Sequence, residues 1–156
     1  MKNWLRVAMI ILLFSTLSCD KEEQTSGTIN YIAYGSSFGE CLGYCNQYMK
    51  VHPQVATLKK IGWDETGSLP EIQCSFPLES YEFISVIDSV NVGNFFSLDE
   101  IYGSPDCADG GAEWVEISFD TIKHRVTFEY MNEPEELTPV VSTLRDLMER
   151  FEGCDE

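Results

Sequence analysis

Positive charge is scarce in this chain. Ten Lys and Arg residues stand against 26 Asp and Glu in 156 residues, a formal net charge of −16. That balance keeps a domain soluble and opposes contact with phosphate backbones or anionic head groups, so nucleic acid is not an expected partner. A basic protein, a cation or a neutral glycan is compatible with it. Histidine is nearly missing. His52 precedes a proline and His124 opens a strand pattern, and neither recurs with carboxylates at ligand spacing, so neither zinc nor a His-assisted nucleophile is indicated. There is no Gly-rich phosphate loop or dinucleotide fingerprint, because the turn-forming cluster Gly35-Ser36-Ser37-Phe38-Gly39 lacks a lysine. Internal repeats and low-complexity tracts are lacking too. The apolar run from Val7 to Phe14 falls well short of the roughly 20 residues a membrane-crossing helix needs.

What the N-terminus does contain is an address. Lys2 and Arg6 precede that apolar run, and Ser15-Thr16-Leu17-Ser18-Cys19 follows it. A basic start, a short apolar core and small residues before a cut site make a secretory signal. The stretch resembles a bacterial lipoprotein signal, in which the cysteine, here Cys19, is lipidated and becomes the first mature residue. Ser18 supplies the small residue before it, and Thr16 stands where such signals usually carry Leu. The alternative is an ordinary signal peptide cut nearby, with Cys19 a plain thiol. Asp20-Lys21-Glu22-Glu23 is similar to the surface-export tag of Bacteroidota-type lipoproteins, or else is a solvated acidic linker. The resemblance implies an outer-membrane protein, lipid-anchored and surface-exposed, with the periplasmic face as the alternative, whose membrane partner is reached through the lipidated N-terminus. Several acyl chains would hold it firmly, at about 0.8 kcal/mol per buried methylene. The expected organisation is a signal over 1–18, a flexible acidic tether over 19–27 and one domain over 28–154.

Beyond Cys19 the chain has Cys41, Cys45, Cys74, Cys107 and Cys154. An exported chain meets an oxidising compartment, and an odd count leaves at least one thiol free or paired outside the chain. Cys41 and Cys45 are close enough to join across a tight turn, given the usual Cα separation of about 4.4–6.8 Å. The pairing of the other three cannot be deduced. Zinc and thiol redox are the rival readings for Cys41 and Cys45. The first lacks a second matching pair, and the second usually needs Cys-x-x-Cys at a helix start.

Strand patterns run over 28–34, the latter half of 41–51, 55–63 and 71–76, and Gly43 would permit a bulge. Leu78, Tyr81, Ile84, Ile87 and Val90 predict a helix from Glu79 to Val92, ended by Gly93. Phe95-Phe96 should plug the core, and Ser97-Leu98-Asp99-Glu100 has the form of a capping box for one helical turn stopped at Gly103. Val115, Ile117 and Phe119, then Val126, Phe128 and Tyr130, alternate with polar residues and predict a hairpin turning at Thr121-Ile122. Leu137, Val140, Val141, Leu144, Leu147, Met148 and Phe151 form an amphipathic helix, with Thr138-Pro139 as cap and first-turn proline and with Arg145 and Arg150 placed to suit the helix dipole. These faces predict an α+β domain, an antiparallel β-sheet of about six strands with two helices packed on one face. Cys41-Leu42-Gly43-Tyr44-Cys45 and the strand after it are similar to an uncharacterised family of exported bacterial domains, whose usual motif is Cys-x-Gly-x-Cys-Pro. Asn46 stands at the proline position. The resemblance covers most of 28–152 and implies the fold and no activity.

The most chemically suggestive loop is Ser104-Pro105-Asp106-Cys107-Ala108-Asp109-Gly110-Gly111, where Asp106 and Asp109 could offer oxygens to calcium. Those residues are also what an ordinary turn uses. Glu113 with Glu116, or Glu135 with Glu136, are carboxylate pairs of the kind glycosidases use, but an acidic chain produces such pairs by chance. They and both histidines are expected at the surface. No cofactor is implied. The functional expectation is a non-enzymatic, lipid-anchored binding module for a protein or glycan partner, and the alternative is a hydrolase or calcium-dependent activity at the Asp106–Asp109 loop.

Overall fold

The computed structural model describes residues 27–63 and 69–154; the signal, Cys19 and most of the tether lie outside them. The chain forms β1 (Ile29–Ser37), β2 (Gly43–His52), β3 (Val55–Trp63) and β4 (Ile72–Pro77), then the helices α1 (Ser80–Asp88) and α2 (Val92–Phe95). It continues through β5 (Ile101–Tyr102), β6 (Ala112–Phe119), β7 (Ile122–Glu129) and α3 (Thr138–Glu149). The strands make one seven-stranded sheet in the order β4-β3-β2-β1-β6-β7-β5. All neighbours are antiparallel except β5 and β7, which are parallel. The fold is α+β, as expected, with one strand more than the sequence suggested.

The extra strand replaces the helical turn expected at Ser97–Glu100. The Glu100 carbonyl accepts from Thr127 N at 2.9 Å, which draws the segment alongside β7. Ser97 Oγ meanwhile donates to the Asn94 carbonyl at 2.7 Å instead of capping a helix of its own. Gly93 does not end α1 either. It sits inside α2, whose N-terminus is capped by Asn91 accepting from Asn94 N at 3.0 Å. The stripe expected around α1 holds only at its ends: Leu78 and Val90 are buried and Ile87 packs against the core, but Tyr81 is 70% and Ile84 53% exposed, and Phe83 and Val86 are the buried residues of the helix. Steps of three residues slip backwards around a helix of 3.6 residues per turn, so a three-step ladder cannot stay on one face. At α3, Leu137 holds the cap position that Thr138 was expected to fill, because the 3-10 turn Glu135–Leu137 leads directly into the helix. The hairpin turn falls at Asp120-Thr121, with Asp120 at φ 49° and its carboxylate accepting from Thr28 N.

Strand alternation sorts the side chains into two faces. On the core face, Ile32, Met49, Leu58, Val115, Ile117, Val126 and Phe128 form one buried cluster with Phe83 and Val86 of α1 and with Val140, Val141, Leu144 and Leu147 of α3. Phe95 is buried in it, as expected, with Phe96 packed against it. On the outer face a second, small cluster contains Tyr31, Ala33 and Trp114, with Tyr48 against them and no helix residue among the described ones. Among the described residues, no helix is long and apolar enough to cross a membrane.

Candidate functional site

The residues singled out from the sequence do not converge. Cys41 and Cys45 form a disulfide with a Cα separation of 5.7 Å. A second bridge, which the sequence did not reveal, joins Cys74 of β4 to Cys154 beyond α3, leaving Cys107 free and exposed. Asp106 and Asp109 lie in a loop with φ of 61° and 59°, and Asp106 Oδ1 accepts from Gly39 N at 3.2 Å. Among the described residues, no group of three or more His, Cys, Asp or Glu side chains is placed to hold a metal ion. His52 packs against Tyr31, and His124 Nε2 lies 2.9 Å from the Leu98 carbonyl beside Phe95. Both are half-buried rather than at the open surface. Glu135 and Glu136 are exposed as expected and Glu116 is half-buried.

Glu113 is the clear departure. It was expected at the surface and is 1% exposed. In β6 it keeps phase with Val115 and Ile117, so the alternation that buries them also turns Glu113 onto the core face. Burial of a carboxylate requires partners, and three are present. Tyr34 Oη donates to Oε1 at 2.6 Å, Arg145 Nη2 donates to Oε2 at 2.5 Å, and Met131 N donates to Oε2 at 3.3 Å. Arg145 is held in turn by a second acid: Glu133 accepts from Arg145 Nη1 and Nη2 at 3.2 and 2.9 Å, while Arg145 Nε donates to Tyr34 Oη at 3.2 Å. Every guanidinium nitrogen is thereby engaged. Burial pushes the Tyr34 hydroxyl well above its ordinary pKa, and Glu113 adds to the shift. Burial also works against the charge of Glu133, but the Arg145 guanidinium outweighs it and holds that carboxyl below its usual value. With its atoms already bonded to one another, the quartet is a lock between α3 and the sheet.

The quartet forms one wall of a cleft of about 460 Å³. Its floor is a polar row, Glu113, Ser36, Gln47 and Lys60, paired across four adjacent strands and completed by Met148 and Phe151 from the C-terminal end of the chain.

The outer face carries a different chemistry. Pairing places Lys50, Ala33, Glu116 and Arg125 in one row across β2, β1, β6 and β7, and Tyr48, Gly35 and Trp114 in the next. The Arg125 guanidinium lies 3.9 Å from the Trp114 ring centroid, and Lys50 Nζ is 4.9 Å from that of Tyr31 and 6.0 Å from that of Tyr48. Lys123 Nζ is 5.6 Å from the Tyr31 centroid. Cations this close to ring faces are attracted by the ring quadrupole, with about 0.5–1 kcal/mol each at exposed sites. Glu116 is the acid at the centre: it accepts from Tyr31 Oη at 2.8 Å and from Arg125 Nε and Nη2 at 3.1 and 2.9 Å. Burial opposes the ionisation of Glu116, yet Tyr31 and Arg125 hold its carboxyl below the usual range. Among the described residues, neither Lys50 nor Lys123 makes an ion pair.

Gly35 gives the indole its place. A Cβ there would stand 2.6 Å from Trp114 Cζ2 and 2.7 Å from the Gln47 carbonyl oxygen. Gly35→Ala is therefore expected to lose about 1–3 kcal/mol, as overpacking does, and to show it as a lower urea midpoint.

The carboxylates also set a pH dependence. Glu116 and Glu133 have folded pKa values below their unfolded value of about 4.3. The stability they contribute is complete above that value and is lost as the pH falls through the folded ones. Tyr34 is raised, so its contribution is complete below about pH 10 and is lost as the pH rises through its folded value. Urea midpoints measured across pH should show a plateau between these limits, and Glu133→Gln should flatten the acid limb.

No protein-family model matches the chain, and no curated protein matches it.

Proposed function

We propose that the protein is a lipid-anchored envelope module that binds a partner through the outer face of its sheet and performs no chemistry of its own. One observation carries this reading. The outer face holds Lys50 and Lys123 over the ring of Tyr31 with no salt bridge among the described residues, in a chain whose net charge is −16. In a globular domain with an excess of acids, basic side chains are expected to be taken up by carboxylates. A surface that keeps Lys50 and Lys123 out of ion pairs is shaped for something outside the molecule. In this reading α1 and α3 together cover the core face and leave the opposite face for the partner. The acyl anchor at Cys19 and the tether hold that face at the outer membrane, surface-exposed, with a glycan or protein as partner.

Two measurements test it. Intact mass spectrometry of protein from native membranes should find acyl chains on Cys19; an unmodified Cys19 removes the anchor. A photo-crosslinking residue at Thr57 on the outer face should give adducts in living cells, whereas one at Ser142 of α3 should not. Equal labelling at both positions, or at neither, would overturn the outer face as the binding surface.

A further inference from the structure

The outer face also has a sign, a shape and a span, and together these name a ligand class. Resting on the binding-module reading above, we propose that the face takes a carboxylate-bearing polysaccharide, a polyuronate-like acidic glycan, with Lys50, Lys123 and Arg125 as the groups that meet its carboxylates.

The sign follows from the pairing. Lys59 is matched by Glu71 at 2.6 Å, and Arg125 is matched by Glu116 through Nε and Nη2. Lys50 and Lys123 have no such match among the described residues. Arg125 binds Glu116 through Nε and Nη2 and not Nη1, and its side chain is 48% exposed. Around Tyr31 and Trp114 the three cations Lys50, Lys123 and Arg125 stand against the one carboxylate of Glu116, and screening with a Debye length of about 8 Å makes an approaching anion respond mainly to these nearby charges.

The shape follows from β1, whose residues on this face are small at the centre. Ala33 and Gly35 let the rings of Tyr48 and Trp114 lie over the strand instead of standing away from it. The Arg125 guanidinium then lies over the Trp114 ring, 3.9 Å from its centroid. The result is a shallow platform of planar groups rather than a socket. Tyr31 and Trp114 are themselves buried beneath these cations, so what the platform offers a glycan lying along it is the guanidinium and ammonium donors that its carboxylates can meet.

The span separates a polymer from a small acid. Lys50 and Arg125 share one row, three strand spacings apart. At about 4.8 Å per strand that is roughly 14 Å. A single carboxylate cannot meet both ends, and a chain with charges repeated along it can.

Other anionic surfaces fit less well. The centre of a protein interface is depleted in lysine and relies on desolvated aromatic anchors in pockets, whereas here the rings are already covered by this chain's own cations. Duplex DNA carries one charge per about 1.7 Å and needs many more cations. Anionic bilayers are held by clusters of about four to eight basic residues, usually beside an inserting apolar element.

The test uses the full chain in detergent, titrated with polygalacturonate, with the same polymer after its carboxyl groups are reduced to alcohols, with poly-glutamate and with anionic phospholipid vesicles. The variant is Lys50→Gln combined with Lys123→Gln, which breaks no salt bridge and removes only the contacts of the two ammonium groups with Tyr31 and Tyr48 and the attraction of Lys123 to Glu116, the fold being checked by the melting temperature. Expected is binding to polygalacturonate that weakens about tenfold or more in the variant, is lost with the reduced polymer and falls with salt. Absence of polygalacturonate binding, or binding that the variant leaves unchanged, overturns the proposal. Equal binding of poly-glutamate or of vesicles overturns the glycan class, and tight binding of the reduced polymer overturns the need for carboxylates. In those last cases outer-face crosslinking would still occur, so the binding-module reading survives the loss of the ligand class.

Discussion

Replacing Arg145 by methionine is expected to lower the stability of the domain by about 3–5 kcal/mol, the loss seen when one member of a buried ion pair is removed. The reason is the state in which it leaves Glu113. That carboxylate is 1% exposed and would keep only Tyr34 Oη and Met131 N as donors, with its countercharge gone. Methionine retains the aliphatic stem, so the loss reports charge and hydrogen bonding rather than a cavity. Combining Arg145→Met with Glu113→Gln should cost clearly less than the two single losses added, because the second change removes the stranded charge that the first creates. Urea denaturation of the two single variants and the double variant measures this. Strict additivity would show that the quartet is not coupled.

Removal of the Cys74–Cys154 bridge has an effect of similar size for another reason. The bridge closes a loop over a sequence separation of 80. In the chain-entropy account a loop of that length restrains the unfolded chain by about 4.5 kcal/mol, within an observed range of about 2–5 kcal/mol for native bridges. The Cys41–Cys45 bridge spans a separation of only 4, and the same account gives it about 2 kcal/mol. The paired substitution Cys74→Ser with Cys154→Ser should therefore lower the thermal midpoint far more than Cys41→Ser with Cys45→Ser. The reverse order would mean that the small loop carries native-state structure the long one does not.

Much of the fold was legible because strand alternation is a local signal. Val115-Glu116-Ile117 and Val126-Thr127-Phe128 announce their own faces, and α3 announces its stripe. The two-residue strand β5 could not be read, because it exists only through the carbonyl of Glu100 meeting Thr127 from a distant strand. The α1 stripe misled because apolar residues at three-residue steps attract the eye, although the face that packs is set by Phe83 and Val86.

The candidate sites were written more faintly. Glu113 carried a usable clue, since it falls in phase with Val115 and Ile117; in a chain with 26 acids it passed for surface. Arg145 sits four residues after Val141 and next to Leu144, on the border of the buried stripe, and that position favours a partner inside over a role at the helix end. Nothing local pairs it with Tyr34, which is 111 residues away. The outer face was hidden for the same reason. Lys50, Arg125, Trp114 and Gly35 become neighbours only once β2, β1, β6 and β7 lie side by side.

Cysteine order has a consequence for assembly of the molecule. If the chain is exported N-terminus first, as proposed above, Cys41 and Cys45 emerge before Cys74, Cys107 follows it and Cys154 comes after Cys107. An oxidase joining thiols as they emerge would make the first pair correctly and would then link Cys74 to Cys107, stranding Cys154. The native arrangement instead joins Cys74 to Cys154 and leaves Cys107 out in solvent. Maturation must therefore either delay oxidation until α3 has docked or pass through exchange, in which the thiolate of Cys154 displaces Cys107 from the mixed bond. On that route the correct bond waits for the segment that carries Cys154, and the yield of native protein rests either on the timing of oxidation or on disulfide exchange.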